Sequence, residues 1–219
     1  AHASGSSVDL TGQAEAFTIS GAAGGDVLKG GSGNDIITGA GGGDTLTGGA
    51  GNDTFNVDSG TDTVADLGGT GGGQSDILVV SSGATANATN IANFAATSAT
   101  KNSGDATLTG ASGGSTINMS NSSLGGYTLT GNAGVDTLTG SSNNDIISGA
   151  GGNDIIVGGS GNDSITGGAG NDSLTGSAGA DTFNVDAGTD TVVDLGTGND
   201  ILKVSSGAIA NATNVSSFT

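Results

Sequence analysis

Asp26, Asp35, Asp44 and Asp53 stand nine residues apart, and Asp136, Asp145, Asp154, Asp163, Asp172 and Asp181 keep the same interval. Two residues after each acid comes an apolar side chain: Leu28, Ile37, Leu46 and Phe55, then Leu138, Ile147, Ile156, Ile165, Leu174 and Phe183. An acid and an apolar slot locked in one phase require a stack of like units, each burying one apolar row against its neighbours. The unit is Gly-Gly-x-Gly-x-Asp-x-U-x, with U large and apolar. It is clearest over residues 149–175, GAGGNDIIV, GGSGNDSIT and GGAGNDSLT.

Composition agrees with a stack rather than a globule. The 219 residues include 46 Gly, no Pro, Cys or Trp, and only 3% aromatics, too few bulky side chains for a conventional core. The formal net charge of −18 comes from 21 acids against Lys29, Lys101 and Lys203, with no Arg. Nothing here would displace counterions from phosphate, so no nucleic-acid partner is expected. Acidity with few aromatics also marks disordered chains, but disorder does not hold an apolar slot in phase with every acid. Without cysteine there is no disulfide and no thiolate metal site. No apolar run approaches the roughly 18 residues of a membrane span, so no membrane insertion is expected. His2 is the sole histidine and reads as an incidental terminal residue; thiol- or histidine-dependent nucleophilic catalysis has no footing, and the chain by itself is expected not to be an enzyme. The opening Ala1-His2-Ala3, without initiator Met or a recognisable signal peptide, suggests a processed or excerpted chain.

Two halves repeat each other. Residues 12–20 form a unit with Phe17 in the acid slot and Ile19 in the apolar slot, read as a cap on the first array. The array passes into 57–65, VDSGTDTVA, which keeps Asp62 and Val64 but has lost its glycine pair. Asp66-Leu67 and a Gly-rich insertion then lead to SDILVV, with Asp76 and Leu78. Residues 81–93 and 95–105, rich in Ser, Ala, Asn and Thr, read as the joining segment, with a helix around 87–96. In the second half, 122–130 is the matching cap with Tyr127 in the acid slot, 185–193 carries Asp190, and GNDILKVSSGA carries Asp200. The expected domains are 1–100 and 101–219. The offset between halves is 110 residues from Phe17 to Tyr127 but 128 from Asp53 to Asp181, a surplus of eighteen residues or two units. A stack that gains two units at once has two units per turn, giving a flattened roll.

That turn explains the acids. In a strand x-U-x, U faces inward and its neighbours face water, while loops two units apart stack about 4.8 Å from each other. Two carboxylates about 5 Å apart repel by roughly 0.8 kcal/mol even at the dielectric of water. A hard cation taking 6–8 oxygens at about 2.4 Å reverses the sign, and Ca2+ suits such a mixed shell better than Mg2+, which dehydrates reluctantly. The expected ligands are the carboxylates of Asp26, Asp35, Asp44, Asp53, Asp62, Asp76, Asp136, Asp145, Asp154, Asp163, Asp172, Asp181, Asp190 and Asp200. Carbonyls of the glycine loops complete the shell, represented by Gly31, Gly33, Gly49, Gly51, Gly159, Gly161, Gly168 and Gly170. Pairing acids two units apart predicts about eight to ten calcium ions.

The repeats resemble the calcium-binding nonapeptides of repeats-in-toxin (RTX) proteins over about 21–76 and 131–203. The resemblance implies an all-β chain of two tandem right-handed parallel β-rolls, unfolded without calcium, secreted by a type I system and folding outside a Gram-negative cell. Ala40, Ser141-Ser142-Asn143 and Val57-Asp58 depart from the pattern, which implies weaker sites there. Tandem modules with Ala/Ser/Thr/Gly-rich spacers suit a self-associating surface protein, such as an S-layer or extracellular filament subunit. The alternatives are the carboxy-terminal calcium module of a secreted toxin, lipase or protease, and a repeat of a large calcium-dependent adhesin.

Overall fold

A computed structural model describes residues 4–68, 75–195 and 198–215. Among them every regular element is a strand and every recorded strand pair is parallel. Parallel strands separated by so few residues form only if the chain coils, and the register gives the coil its length. Thr18 pairs with Ile36 and Ile36 with Thr54; Ile146 pairs with Ser164 and Ser164 with Thr182. One turn is thus two nonapeptides, as the offset between halves requires. The chain is a parallel β-solenoid of the roll type.

It divides into two compact units, 1–108 with 121–124, and 109–120 with 125–219. In the first, one sheet stacks Ser7–Asp9, Val27–Lys29, Thr45–Thr47, Thr61–Val64 and Thr85–Ile91. The facing sheet stacks Thr18–Ser20, Ile36–Thr38, Thr54–Val57, Ile77–Val80 and Lys101–Asn102. In the second unit Thr128–Thr130, Ile146–Gly151, Ser164–Ala169, Thr182–Val185 and Ile201–Val204 share one sheet. Thr116–Asn118, Thr137–Thr139, Ile155–Ser160, Ser173–Ala178, Thr189–Val192 and Ile209–Ala212 share the other. Between the sheets lies the apolar row: Leu28, Ile37, Leu46 and Phe55 in one unit and Leu138, Ile147, Ile156, Ile165, Leu174 and Phe183 in the other, all buried. Their neighbours, such as Thr45 and Thr47 or Ser173 and Thr175, stay partly exposed. Each such apolar side chain contributes about 1.5–3 kcal/mol, and the row repeats that contribution at every half-turn.

Two expectations change. The helix expected around 87–96 is instead Thr85–Ile91 followed by Asn93–Ala95. Ala84, Ala86 and Ala88 are buried and alternate with the partly exposed Thr85 and Asn87, a period of two that alanine's helix preference does not overcome once a strand edge is available. The supposed joining segment therefore continues the coil, with Thr85 paired to Thr61 and Ala88 to Val64. The two cap units also do not stand outermost: Ser7–Asp9 comes before Thr18–Ser20 and pairs with Val27–Lys29, and Thr116–Asn118 comes before Thr128–Thr130 and pairs with Thr137–Thr139. Lys29 meets an acid, Asp9, at 3.6 Å on the exposed surface. His2, most of the Gly-rich insertion (69–74) and the last four residues lie outside the described residues.

Candidate metal centres

Each loop ends by turning its aspartate inward, under the first residue of the next strand. The carboxylate then reaches one turn back. Oδ1 of Asp44, Asp53, Asp62 and Asp76 accepts the backbone N–H of Asp26, Asp35, Asp44 and Asp53, at 2.7 to 3.0 Å. In the second unit Asp154, Asp163, Asp172, Asp181, Asp190 and Asp200 accept from Asp136, Asp145, Asp154, Asp163, Asp172 and Asp181, at 2.8 to 3.0 Å. All the pairs counted two units apart in the sequence are therefore in contact. Phe17 and Tyr127 stand in the acid slot and donate their backbone N–H to Oδ1 of Asp35 and Asp145, at 2.7 and 2.6 Å.

The acids are buried, Asp62, Asp136 and Asp190 completely, with Asp200 half-buried. One oxygen of each of Asp44, Asp62, Asp136, Asp154, Asp163, Asp172 and Asp190 is buried without a hydrogen-bond partner. Such an oxygen costs about 1–3 kcal/mol or more if it carries charge. Burial pushes the carboxyls of Asp53 and Asp163 up to about 7, and those of Asp62 and Asp154 up to about 6. The acids one turn away add like-charge repulsion, Asp76 and Asp35 on Asp53, and Asp145 and Asp181 on Asp163. Asp44, Asp76, Asp145, Asp172, Asp181 and Asp190 are raised for the same first reason, burial. Asp26 is the opposite case, lowered by N–H bonds from Ala22 and Ser6.

The glycines keep room beside these oxygens. At the first loop position a Cβ on Gly149 would stand 2.2 Å from Asp154 Oδ2 and 2.5 Å from the Gly167 carbonyl. On Gly39 it would stand 2.4 Å from Asp44 Oδ2 and 2.9 Å from Asp62 Oδ2. Of the glycines expected to supply carbonyls, Gly49, Gly51, Gly159, Gly161, Gly168 and Gly170 have positive φ, between 101° and 137°, whereas Gly31 and Gly33 do not. Both sets lie close on the turn below: a Cβ on Gly31 or Gly33 would stand 2.3 Å from the carbonyl of Gln13 or Glu15, and one on Gly49 or Gly159 2.0 or 2.1 Å from that of Gly31 or Ser141. No three carboxylates or imidazoles converge on one point among the described residues. A cation here would take one or two carboxylates and complete its shell from loop carbonyls, as an oxygen-seeking calcium ion does. The bare oxygens and the glycine-walled cradle fit that ion, whose charge would offset the repulsion along the column.

Reading the sequence alone missed three elements. Asp66 and Asp194 take the N–H pairs of Gly48–Gly49 and Gly176–Ser177 at 2.7 to 3.0 Å, closing each array where the chain departs from the repeat. Their signal was the shared Asp-Leu after each VDxGTD unit. The asparagine before the acid forms a second ladder: Asn34, Asn144, Asn153, Asn162 and Asn171 each accept the N–H one turn ahead, at 2.7 to 2.8 Å. The recurring Asn-Asp pair carried that information. The carbonyl of the first loop glycine, as at Gly48 and Gly167, borders the same small space as a carboxylate oxygen: a Cβ on Gly30 or Gly149 would stand 2.4 or 2.5 Å from that carbonyl and 2.2 Å from Oδ2 of Asp35 or Asp154.

A coil of parallel strands whose loops stack buried carboxylates at one-turn spacing defines a candidate metal-binding repeat solenoid. The RTX calcium-binding nonapeptide repeat model matches four times, at 18–46, 30–64, 130–165 and 157–192, together covering half of the chain. The chain belongs to this family, and its repeats are calcium-binding repeats. No curated protein matches the chain.

Proposed function

We propose that this chain is an extracellular structural protein whose fold and self-association both depend on calcium. The observation that carries it is the set of buried, unpartnered carboxylate oxygens stacked along both units, which oppose folding until a cation meets them. A site absent from the unfolded chain converts binding energy into folding energy, so scarce calcium inside a cell leaves the chain extended and plentiful calcium outside folds it. The family's repeats are characteristic of secreted proteins, which supports export through a type I system of a Gram-negative bacterium. About eight to ten ions are expected, one for each stacked pair of loops. Catalysis is not part of this reading, because the sole histidine is His2 and no cysteine is present.

The assembly proposed is an S-layer or filament-like surface array, favoured by the two tandem units of calcium-binding repeats. The same repeats also suit the calcium module of a secreted toxin, lipase or protease, or a module of a large adhesin. Light scattering on the chain, first with chelator and then with millimolar calcium, separates them. Chelator-reversible growth into sheets or filaments supports the structural reading. Compaction at constant mass supports the module reading, and an unchanged particle defeats the calcium switch altogether.

A further inference from the structure

The metal loops exist in two conformations. In the first two loops of each array, the second loop residue turns its N–H onto its own aspartate. Ala22, Gly31, Asn132 and Ser141 donate to Oδ2 of Asp26, Asp35, Asp136 and Asp145 at 2.6 to 2.9 Å. In the later loops the second residue has positive φ: Ala40 at 71°, Gly49 at 102°, Ala150 at 74°, Gly159 at 113°, Gly168 at 101° and Ser177 at 77°. Its N–H then no longer caps the acid. Oδ2 of Asp44, Asp154, Asp163 and Asp172 is buried and bare, while Gly49 and Ser177 give their N–H to Asp66 and Asp194.

What lies one turn below separates the classes. Every capped loop rests on a turn of other sequence, so that Asp26, Asp35 and Asp145 accept at Oδ1 from Ser6, Phe17 and Tyr127. Every uncapped loop rests on another nonapeptide and accepts from an aspartate N–H. Asp136 combines the two, its Oδ2 capped and its Oδ1 bare.

We infer that the first two loops of each array are self-capped starter turns, in which a backbone N–H holds the carboxylate oxygen that calcium takes in the later loops. An N–H and a cation compete for the same lone pairs. Freeing Oδ2 in a capped loop would strand the capping N–H, which is buried at Gly31 and Ser141 and part-buried at Ala22 and Asn132, so those carboxylates ligate last or not at all, whereas the bare ones gain a partner at no such cost. The inference rests on the calcium reading and narrows it: Asp26, Asp35, Asp136 and Asp145 shape the stack, and the later acids hold the ions. Each ion then sits against the upper loop of a stacked pair, which leaves the number of sites unchanged.

The test compares the full chain with D35N, D145N and D163N by counting bound calcium in equilibrium dialysis and by the calcium midpoint of folding. D163N is expected to lose at least one ion and to raise the midpoint about tenfold. D35N and D145N are expected to keep the count and to move the midpoint by less than about twofold. Equal losses in all three overturn the inference while leaving the calcium reading intact; no calcium bound by the unsubstituted chain defeats both. Because Asn in a capped loop sets an NH2 against the capping N–H, a second measurement needs no substitution. Terbium-soaked crystals of the unsubstituted chain should give anomalous peaks beside Asp44 and Asp163 and none beside Asp35 and Asp145, and peaks of equal height at all four overturn the inference.

Discussion

The loops at 30–35 and 158–163 have the same sequence, GGSGND, and hold their aspartates differently. In both, the serine N–H reaches the turn below, from Ser32 to the Gln13 carbonyl at 2.9 Å and from Ser160 to the Ser141 carbonyl at 3.2 Å. In both, Oδ1 accepts an N–H from one turn back, of Phe17 or of Asp145. The second glycine makes the difference. Gly31 donates to Asp35 Oδ2, whereas Gly159 adopts φ 113°, pairs in register with Ser177 of the next turn, and leaves Asp163 Oδ2 bare. Six identical residues thus give one satisfied carboxylate and one that needs a cation. The cause lies outside the hexapeptide, in whether the turn beneath is an irregular one or another nonapeptide.

Removing calcium should have the largest effect on this contrast. With chelator at neutral pH, hydrogen exchange is expected to become fast throughout the later loops around Asp163, with loss of the strand signal in circular dichroism; retention of full protection there would break the comparison. Truncating the core below each loop should be next, and equal on both sides. Ile37→Ala and Ile165→Ala each remove a completely buried side chain, at about 2–5 kcal/mol in calcium-saturated denaturant titrations. A markedly smaller cost at Ile37 would mean that the two turns differ in packing and not only in their loops.

Acidity sharpens the contrast further. Burial raises Asp163 and Asp53 to about 7 and Asp154 and Asp62 to about 6 in the metal-free fold, above the unfolded value near 4. The folded state then binds more protons than the unfolded one, so stability without metal is present below about pH 4 and is lost as pH rises through 6 to 7. Calcium reverses the trend, because it needs the same carboxylates ionised. Calorimetric titrations from pH 8 to pH 5 should show weakening calcium affinity accompanied by proton release on binding, and a pH-independent affinity would count against ligation by these acids. The smallest effect concerns strain. Ala40 and Ala150 hold φ of 71° and 74° in loops that elsewhere use glycine. Ala40→Gly and Ala150→Gly should each stabilise the calcium-loaded chain by up to about 1 kcal/mol, read as a higher melting temperature, with the relieved strain partly offset by the freer unfolded chain.

Much of this architecture is legible in the sequence. The two-unit turn followed from the unequal offsets of the halves, and the Thr18–Ile36 and Ile146–Ser164 registers carry it. The inward row from Leu28 to Phe183 followed from its fixed distance to each acid, and so did the stacking of Asp44 on Asp26 or Asp172 on Asp154. Where the period stopped, reading became harder. Residues 84–88 alternate Ala with Thr and Asn, and alanine serves a helix or a cramped strand core equally well until the neighbouring strand Thr61–Val64 offers its edge. Asp66 and Asp194 were hard to read because they fall outside the nine-residue phase of the other acids, although their N–H partners lie one turn back, at 17 to 18 residues.

The nonapeptide by itself determined the coil length, the buried row and the columns of acids, because each follows from a period that the geometry of stacked strands must respect. Only the tertiary structure decided which carboxylates keep a bare oxygen. That choice depends on the backbone of the turn beneath, about eighteen residues away, and no property of the loop's own residues encodes it.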